Sequence, residues 1–186
     1  MREKFPKHVF LIILNEFCER FSYYGLRTVL IIYLTKFIKI NDNTATAYYH
    51  AFTMICYFTP VVGAIISDGY IGQFRTIMYI SIIYGFGELI LSLTSMKPLG
   101  APNLIGPLIG LLVIGFGTGG IKPCVSAFGG DQFKSDQKKY LDTFFSMFYL
   151  SINIGAFLGS LVTPVLRKNV KCKFSISLIS LYAINE

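Results

Sequence analysis

The chain has 186 residues, of which 53% are hydrophobic and only 15% charged, and its mean hydropathy is +0.57. That is too apolar and too sparingly charged for an ordinary water-soluble domain, so an integral membrane protein is the default class. The net charge of +7 does not point to nucleic acid, because the basic residues are scattered over loops, helix interiors and the tail after Leu166 and form no continuous basic face.

Five long apolar segments follow one another: about Val9 to Leu34, Ala45 to Ser67, Thr76 to Ser95, Leu104 to Phe128 and Phe144 to Leu166. Each approaches or exceeds the roughly 20 residues that cross about 30 Å of hydrocarbon. The shorter alternating segments of a spanning barrel are absent. The expected fold is all-α integral membrane, with residues 1–167 forming one helical bundle.

The first segment is too long for a cleaved leader, carries Glu16, Glu19 and Arg20, and lacks a small-x-small cleavage site, so it is expected to be retained. It contains Asn15-Glu16-Phe17-Cys18-Glu19-Arg20-Phe21-Ser22-Tyr23-Tyr24-Gly25, two carboxylates and a guanidinium within an apolar run. Each ionised group costs at least a few kcal/mol near a bilayer centre, so such groups face a polar interior, pair with one another and mark an ion or substrate path. At about 100° per residue, Glu16, Glu19, Arg20, Tyr23, Tyr24 and Arg27 share one arc of roughly 140°.

The loop Lys39 to Thr44 ends the first helix, and His50 lies near the start of the second apolar segment. Imidazoles titrate near neutrality, so a proton-relay role and a plain interfacial histidine are both open. A Gly-rich turn, Gly63 to Arg75, joins the second and third segments, with Asp68 and Arg75 bracketing it. They form either a solvated pair or a charge latch on a moving bundle. Glu88 in the third segment has no obvious local partner in the sequence and receives no role.

After the break at Met96 to Asn103 the fourth segment contains Gly115-Phe116-Gly117-Thr118-Gly119-Gly120. The run matches a dinucleotide fingerprint in form only: no strand precedes it and no acid lies about 20 residues on. Gly115 with Gly119, and Gly155 with Gly159, instead have the small-xxx-small spacing that lets helix backbones approach closely. Lys122, beside Pro123, either snorkels to the interface or offers its ammonium to a cavity, and the loosened Gly-Pro context favours the cavity. The polar stretch Gly129 to Thr143 reads as the longest loop.

Beyond Arg167 the pattern fails, and Phe174 to Ile184 is apolar for only half a span. The expectation is five transmembrane helices, an incomplete sixth and a divergent tail over 168–186. A cytoplasmic N-terminus places Arg2, Lys4, Lys7, Arg75, Lys134, Lys138 and Lys139 inside against Lys36, Lys39 and Lys97 outside. The tail, with Arg167, Lys168, Lys171 and Lys173, levels that count. Cys18, Cys56, Cys124 and Cys172 include no close pair and imply neither a zinc site nor a disulfide framework. No arrangement of catalytic residues, metal ligands or phosphate-cradling glycines supports an enzyme.

Taken together, Glu16, Glu19, Arg20, Phe21, Tyr23 and Tyr24, the stretch Gly63 to Gly87 around Asp68 and Gly72, Gly117 to Phe133, and Phe145 to Gly155 resemble the proton-coupled oligopeptide transporter family of the major facilitator superfamily, and its animal di- and tripeptide transporters in particular. The resemblance covers about Phe5 to Arg167. It implies the N-terminal half of a major facilitator bundle, at a plasma membrane, taking up di- and tripeptides with protons as the coupling ion and without a cofactor. It further implies that Arg20 and Lys122 meet the peptide carboxylate, that Asn153 meets its amino end, and that Tyr24, Tyr33 and Tyr57 line the pocket. Glu16 and Glu19 would exchange pairing with Arg20 and Lys122 as protons arrive, His50 would be the proton-linked histidine, and Asp68 and Arg75 would belong to the gating loop. Set against the family pattern, the chain has Phe5 rather than tyrosine before Pro6, and the C-terminal bundle with its peptide-holding acid is expected to be missing from these 186 residues.

A site that fixes the two charged ends of a peptide accepts many side chains, and a proton on a carboxylate frees a cation for substrate. Two other outcomes compete with symport: a non-transporting membrane protein that binds full-length relatives, and a carrier of nitrate or another anion from the wider family.

Overall fold

The computed structural model describes residues 6, 8–95, 104–134 and 136–169, with no account of the side chains of 167–169. The expectations for Phe5, for Arg2, Lys4, Lys7, Lys97 and Cys172, and for the incomplete sixth helix and the tail from 170 onward lie outside the described residues. All regular structure within them is helical, as the apolar periodicity requires: α1 Val9–Ile32, α2 Asp42–Ile66, α3 Gln73–Ser95, α4 Ile105–Gly130 and α5 Lys138–Asn169.

Two of these helices are prolonged by single wide turns. α1 passes into a π-helical turn at Tyr33–Phe37 and α2 into another at Ser67–Ile71. The second closes on Gly72 at φ +84°, a left-handed conformation open to glycine at little cost. That residue turns the chain from α2 into α3 within one position.

The helices outrun the apolar segments. α3 starts at Gln73 rather than Thr76, and α5 starts at Lys138 rather than Phe144, so the polar stretch expected as a loop from Gly129 to Thr143 shrinks to 131–137. The reason is that a helix satisfies its own backbone hydrogen bonds, and its polar ends can project beyond the hydrocarbon band. Hydropathy marks the membrane-embedded part of a helix and misses its wet ends. α4 continues as α-helix through Pro123, and α2 through Pro60, so Pro123 does not break the helix that carries Lys122.

α4 packs between α2 and α3, while α1 lies along α5 and touches α2 and α4 more lightly. Glycines set these distances. A β-carbon on Gly159 would stand 2.5 Å from the Phe21 carbonyl oxygen, and one on Gly155 would stand 2.8 Å from the Phe17 carbonyl oxygen, so α5 runs with its backbone against α1. Gly63 and Gly120 bring α2 and α4 together in the same way. Gly115 and Gly119 also face α2, against Ile55 and Thr59. The two small-xxx-small pairs are packing seams.

Among the described residues, four helices are long and apolar enough to cross a membrane: Asp42–Ile71, Gln73–Ser95, Ile105–Gly130 and Lys138–Leu166. The 24 residues of α1 reach about 36 Å at 1.5 Å per residue, yet Glu16, Glu19, Arg20 and Arg27 interrupt its apolar windows. It is the charged member of the bundle, and its charges turn inward: Glu16 is 3% and Arg20 7% exposed. Large apolar side chains such as Leu11, Met54, Phe58, Ile65 and Phe157 lie on the outside, as a hydrocarbon solvent allows.

Candidate functional site

One guanidinium serves two acids at the centre of α1. Arg20 Nε donates to Glu16 Oε1 at 2.6 Å, and Glu19 Oε2 lies 3.0 Å from the same nitrogen. The i, i+4 spacing places Glu16 directly beneath Arg20, and the adjacent Glu19 reaches round to it. α4 supplies a further donor, since the Thr118 hydroxyl donates to Glu19 Oε1 in a short hydrogen bond. Two carboxylates against one cation leave the cluster one negative charge in excess before other helices are counted.

Lys122 of α4 offsets that excess. Its ammonium sits 4.7 Å from the centre of the Tyr23 ring and 5.7 Å from that of Tyr57, a cation held on aromatic faces. It also lies within electrostatic reach of Arg20, Glu19 and Glu16. A cation resting on two rings is held more loosely than one locked in ion pairs, so a carboxylate can capture it. Lys122 is half-buried, with its ammonium turned to these rings of α1 and α2. Tyr24 stands edge-on to Tyr23 with ring centres 5.2 Å apart.

The bundle thus brings together Glu16, Glu19, Arg20, Lys122, Tyr24 and Tyr57 of the expected site residues. Tyr57 is 66% exposed on this face of the bundle. The other expected residues stand apart. Tyr33, expected to line the pocket, is fully buried: its ring stacks on Phe37 and its hydroxyl lies 2.9 Å from Ser95 Oγ. Ser95 gives its own proton to the Leu91 carbonyl, so Tyr33 is the donor of that bond. At about 100° per residue Tyr33 falls roughly 100° from Glu16, outside the polar arc, before the wider turn begins.

Asn153 is exposed on α5, with its amide donating to the Tyr149 carbonyl of the same helix at 2.8 Å. His50 is exposed and meets Tyr49 edge to face. Tyr49 in turn accepts a 2.6 Å hydrogen bond from Arg27 Nε, which places the histidine two contacts from the charged arc. Asp68 lies in the π-helical turn after α2 and Arg75 in the first turn of α3, both exposed and not ion-paired with each other.

The sequence did not single out Thr118, whose partner comes from another helix, and it found no partner for Glu88, which the structure supplies behind the cluster. There Ser22 of α1 donates to Glu88 Oε1 of α3 at 3.3 Å, and Tyr84, one turn before Glu88, lies beside both. A cavity of about 400 Å³ between α1 and α3 is lined by Asn15, Glu16, Glu19, Tyr84, Phe86 and Leu89, among others. It reaches the acids but none of the residues expected to hold a peptide, whose side chains Tyr57 and Asn153 lie on open faces of this bundle. Among the described residues no group of three or more His, Cys, Asp or Glu is placed to hold a metal ion.

A model of the POT family matches residues 74–182. The chain is 50% identical over 174 residues to solute carrier family 15 member 1 of Homo sapiens, an alignment covering 88% of this chain and 25% of that protein. It is 48% identical over 169 residues to peptide transporter family 1 of Drosophila melanogaster, covering 90% of this chain and 23% of that protein. The chain therefore spans about a quarter of the length of these curated relatives. Among solved structures, the POT family transporter PepTSo superposes with a TM-score of 0.89 at 34% identity, over 98% of this chain and 36% of that one. Charged α1, glycine-seamed α4 and α5, and the family match over more than half the chain agree: this chain belongs to the POT family.

Proposed function

We propose that this chain supplies the proton-coupling and peptide-terminus-binding half of a symporter that takes up di- and tripeptides, in company with a second helical bundle. The observation that carries the reading is the single buried guanidinium of Arg20 shared by Glu16 and Glu19, with Lys122 held nearby on Tyr23 and Tyr57. The names of the relatives, one of them a peptide transporter, support the peptide as substrate.

In this reading Arg20 and Lys122 take the peptide carboxylate, Tyr24 and Tyr57 line its path and Asn153 meets its amino end. A proton arriving on Glu16 or Glu19 removes one claim on Arg20, and the freed guanidinium turns to substrate. Coupling is competition for a limited number of cations. His50 adds a proton site through Tyr49 and Arg27, and Asp68 and Arg75 act at the turn where α2 and α3 move against each other. The chain lies in a plasma membrane with its N-terminus in the cytoplasm, uses the proton as coupling ion and catalyses no bond-making step.

The test is uptake of a labelled dipeptide into proteoliposomes under an inward proton gradient. It uses the chain alone and the chain joined after α5 to the remainder of the human relative. The joined protein is expected to concentrate peptide and to lose at least about 100-fold of that activity on Arg20→Ala, since a buried charge pair loses its cation. Near-normal uptake by that variant overturns the role. Absence of uptake by the joined protein, with stable co-purification of the chain with the intact relative, supports the non-transporting alternative. Nitrate currents that compete with peptide uptake support the anion carrier.

A further inference from the structure

The mechanism above leaves unused an acid sealed inside the bundle. Glu88 of α3 is 1% exposed, and hydroxyls are among the groups that meet it. Ser22 Oγ of α1 donates to its Oε1 at 3.3 Å. Tyr84, one helical turn earlier on the same face of α3, has a buried hydroxyl close to Ser22 and Glu88 that completes no hydrogen bond of good geometry with either, and it lies within electrostatic reach of Glu19. From α4 this stretch meets uncharged groups, Ile114 opposite Gly87 and Gly117 against Tyr84. The titratable and charged groups facing it from α1 are Glu19 and, through the shared ion pairs, Glu16 and Arg20.

Three features of this arrangement suit proton storage. A carboxylate deep in a membrane protein is costly when ionised, and such acids mark proton paths. Hydroxyls can both donate and accept, so Ser22 and Tyr84 can serve the group with or without its proton. Tyr84 also lines the same cavity as Glu16 and Glu19, so it stands between Glu88 and the ion-pair cluster.

We propose that Glu88 is a further proton-binding carboxyl of this bundle, linked to the Glu16, Glu19 and Arg20 cluster through Ser22 and Tyr84. The inference rests on the proton-coupled reading of that cluster. A proton entering from the cavity forms an O–H bond on Glu88, while Tyr84 or Ser22 gives up its own proton as it accepts the incoming one. No electrons change hands, and reversal of the same steps returns the proton toward Glu19.

Two measurements decide it. Infrared difference spectra of the 186-residue chain in lipid vesicles, recorded across a pH titration, are expected to show a carboxyl carbonyl band that comes and goes with pH. That band is expected to vanish in Glu88→Gln and persist, shifted, in Glu88→Asp. In the joined transporter, Glu88→Gln is expected to lower proton-driven uptake by about tenfold, a typical coupling between linked sites, while peptide exchange without a proton gradient stays within about twofold of the unmodified protein. Unchanged spectra overturn the proposal. So does unchanged driven uptake, or an equal loss of driven uptake and exchange, which marks a structural role. If the unmodified joined protein shows no proton-driven uptake, the symport reading fails by itself, and the infrared result alone decides whether Glu88 binds a proton.

Discussion

Arg20 is the residue on which the two acids of α1 depend, and Thr118 shows how a second helix completes their bonding. Thr118→Val keeps the shape and removes the donor to Glu19. The expected cost is about 1–3 kcal/mol, the penalty of leaving a buried acceptor short of a partner, read as a lower unfolding temperature in detergent. Thr118→Ser is expected to hold most of the stability. His50 lies on the outside of α2, and its ring contact with Tyr49 leads to Arg27 of the arc. An imidazole is cationic in acid and neutral in alkali. If its proton drives uptake, transport rises as the outer solution is acidified, and His50→Gln is expected to flatten that rise. An unchanged pH profile rejects the role. The inward polar arc of α1 was legible in the sequence, because a 3.6-residue period and the cost of charge in hydrocarbon suffice to orient Glu16, Glu19 and Arg20. The same period puts Tyr33 roughly 100° from Glu16 and outside the arc; its place in the pocket was implied by the resemblance alone. Thr118 was hidden, and Glu88, although noticed, stayed without a role, since each gains its meaning from a partner on another helix.

Between α1 and α5 the contact is backbone against backbone. Gly159→Leu forces a side chain into the Phe21 carbonyl, and overpacking of this kind costs about 1–3 kcal/mol or more. The unfolding temperature in detergent is expected to drop, whereas Gly85→Ala, where an added β-carbon meets nothing within 4 Å, is expected to leave it nearly unchanged. Equal effects at both positions reject the close-packed seam. The seam itself was readable, because glycines four residues apart in an apolar helix have few other uses. The helix ends were not. Lys138, Lys139 and Asp142 read as loop on hydropathy, but they form the wet first turns of α5, where backbone bonding continues although the membrane does not.

For the molecule as a whole the question is which side faces which compartment. With a cytoplasmic N-terminus, a cysteine introduced at Asp68 or Gln132 is expected to react with an impermeant thiol reagent only from the cytoplasmic side, and one at Asp42 only from outside, on a background with the native cysteines replaced. Reversed labelling overturns the orientation. The α2–α3 turn and the α4–α5 loop share an end of the bundle in this topology, since each follows a pair of crossings. The fold class was available from composition and segment length alone, but the assignment of α1 was less secure by those criteria. Among the described residues four helices pass as spans on composition, and α1 lies with them with its central charges paired inside the bundle.

Gly155 stands where α5 crosses α1, and a β-carbon there would approach the first side-chain carbon of Arg20 to 3.1 Å. No cushioning atoms separate the two. Any tilt of α5 is therefore delivered directly to the root of the guanidinium, as a lever acts on an axle without a bearing, and rearrangement of the outer helix and reorientation of the central cation become one mechanical event.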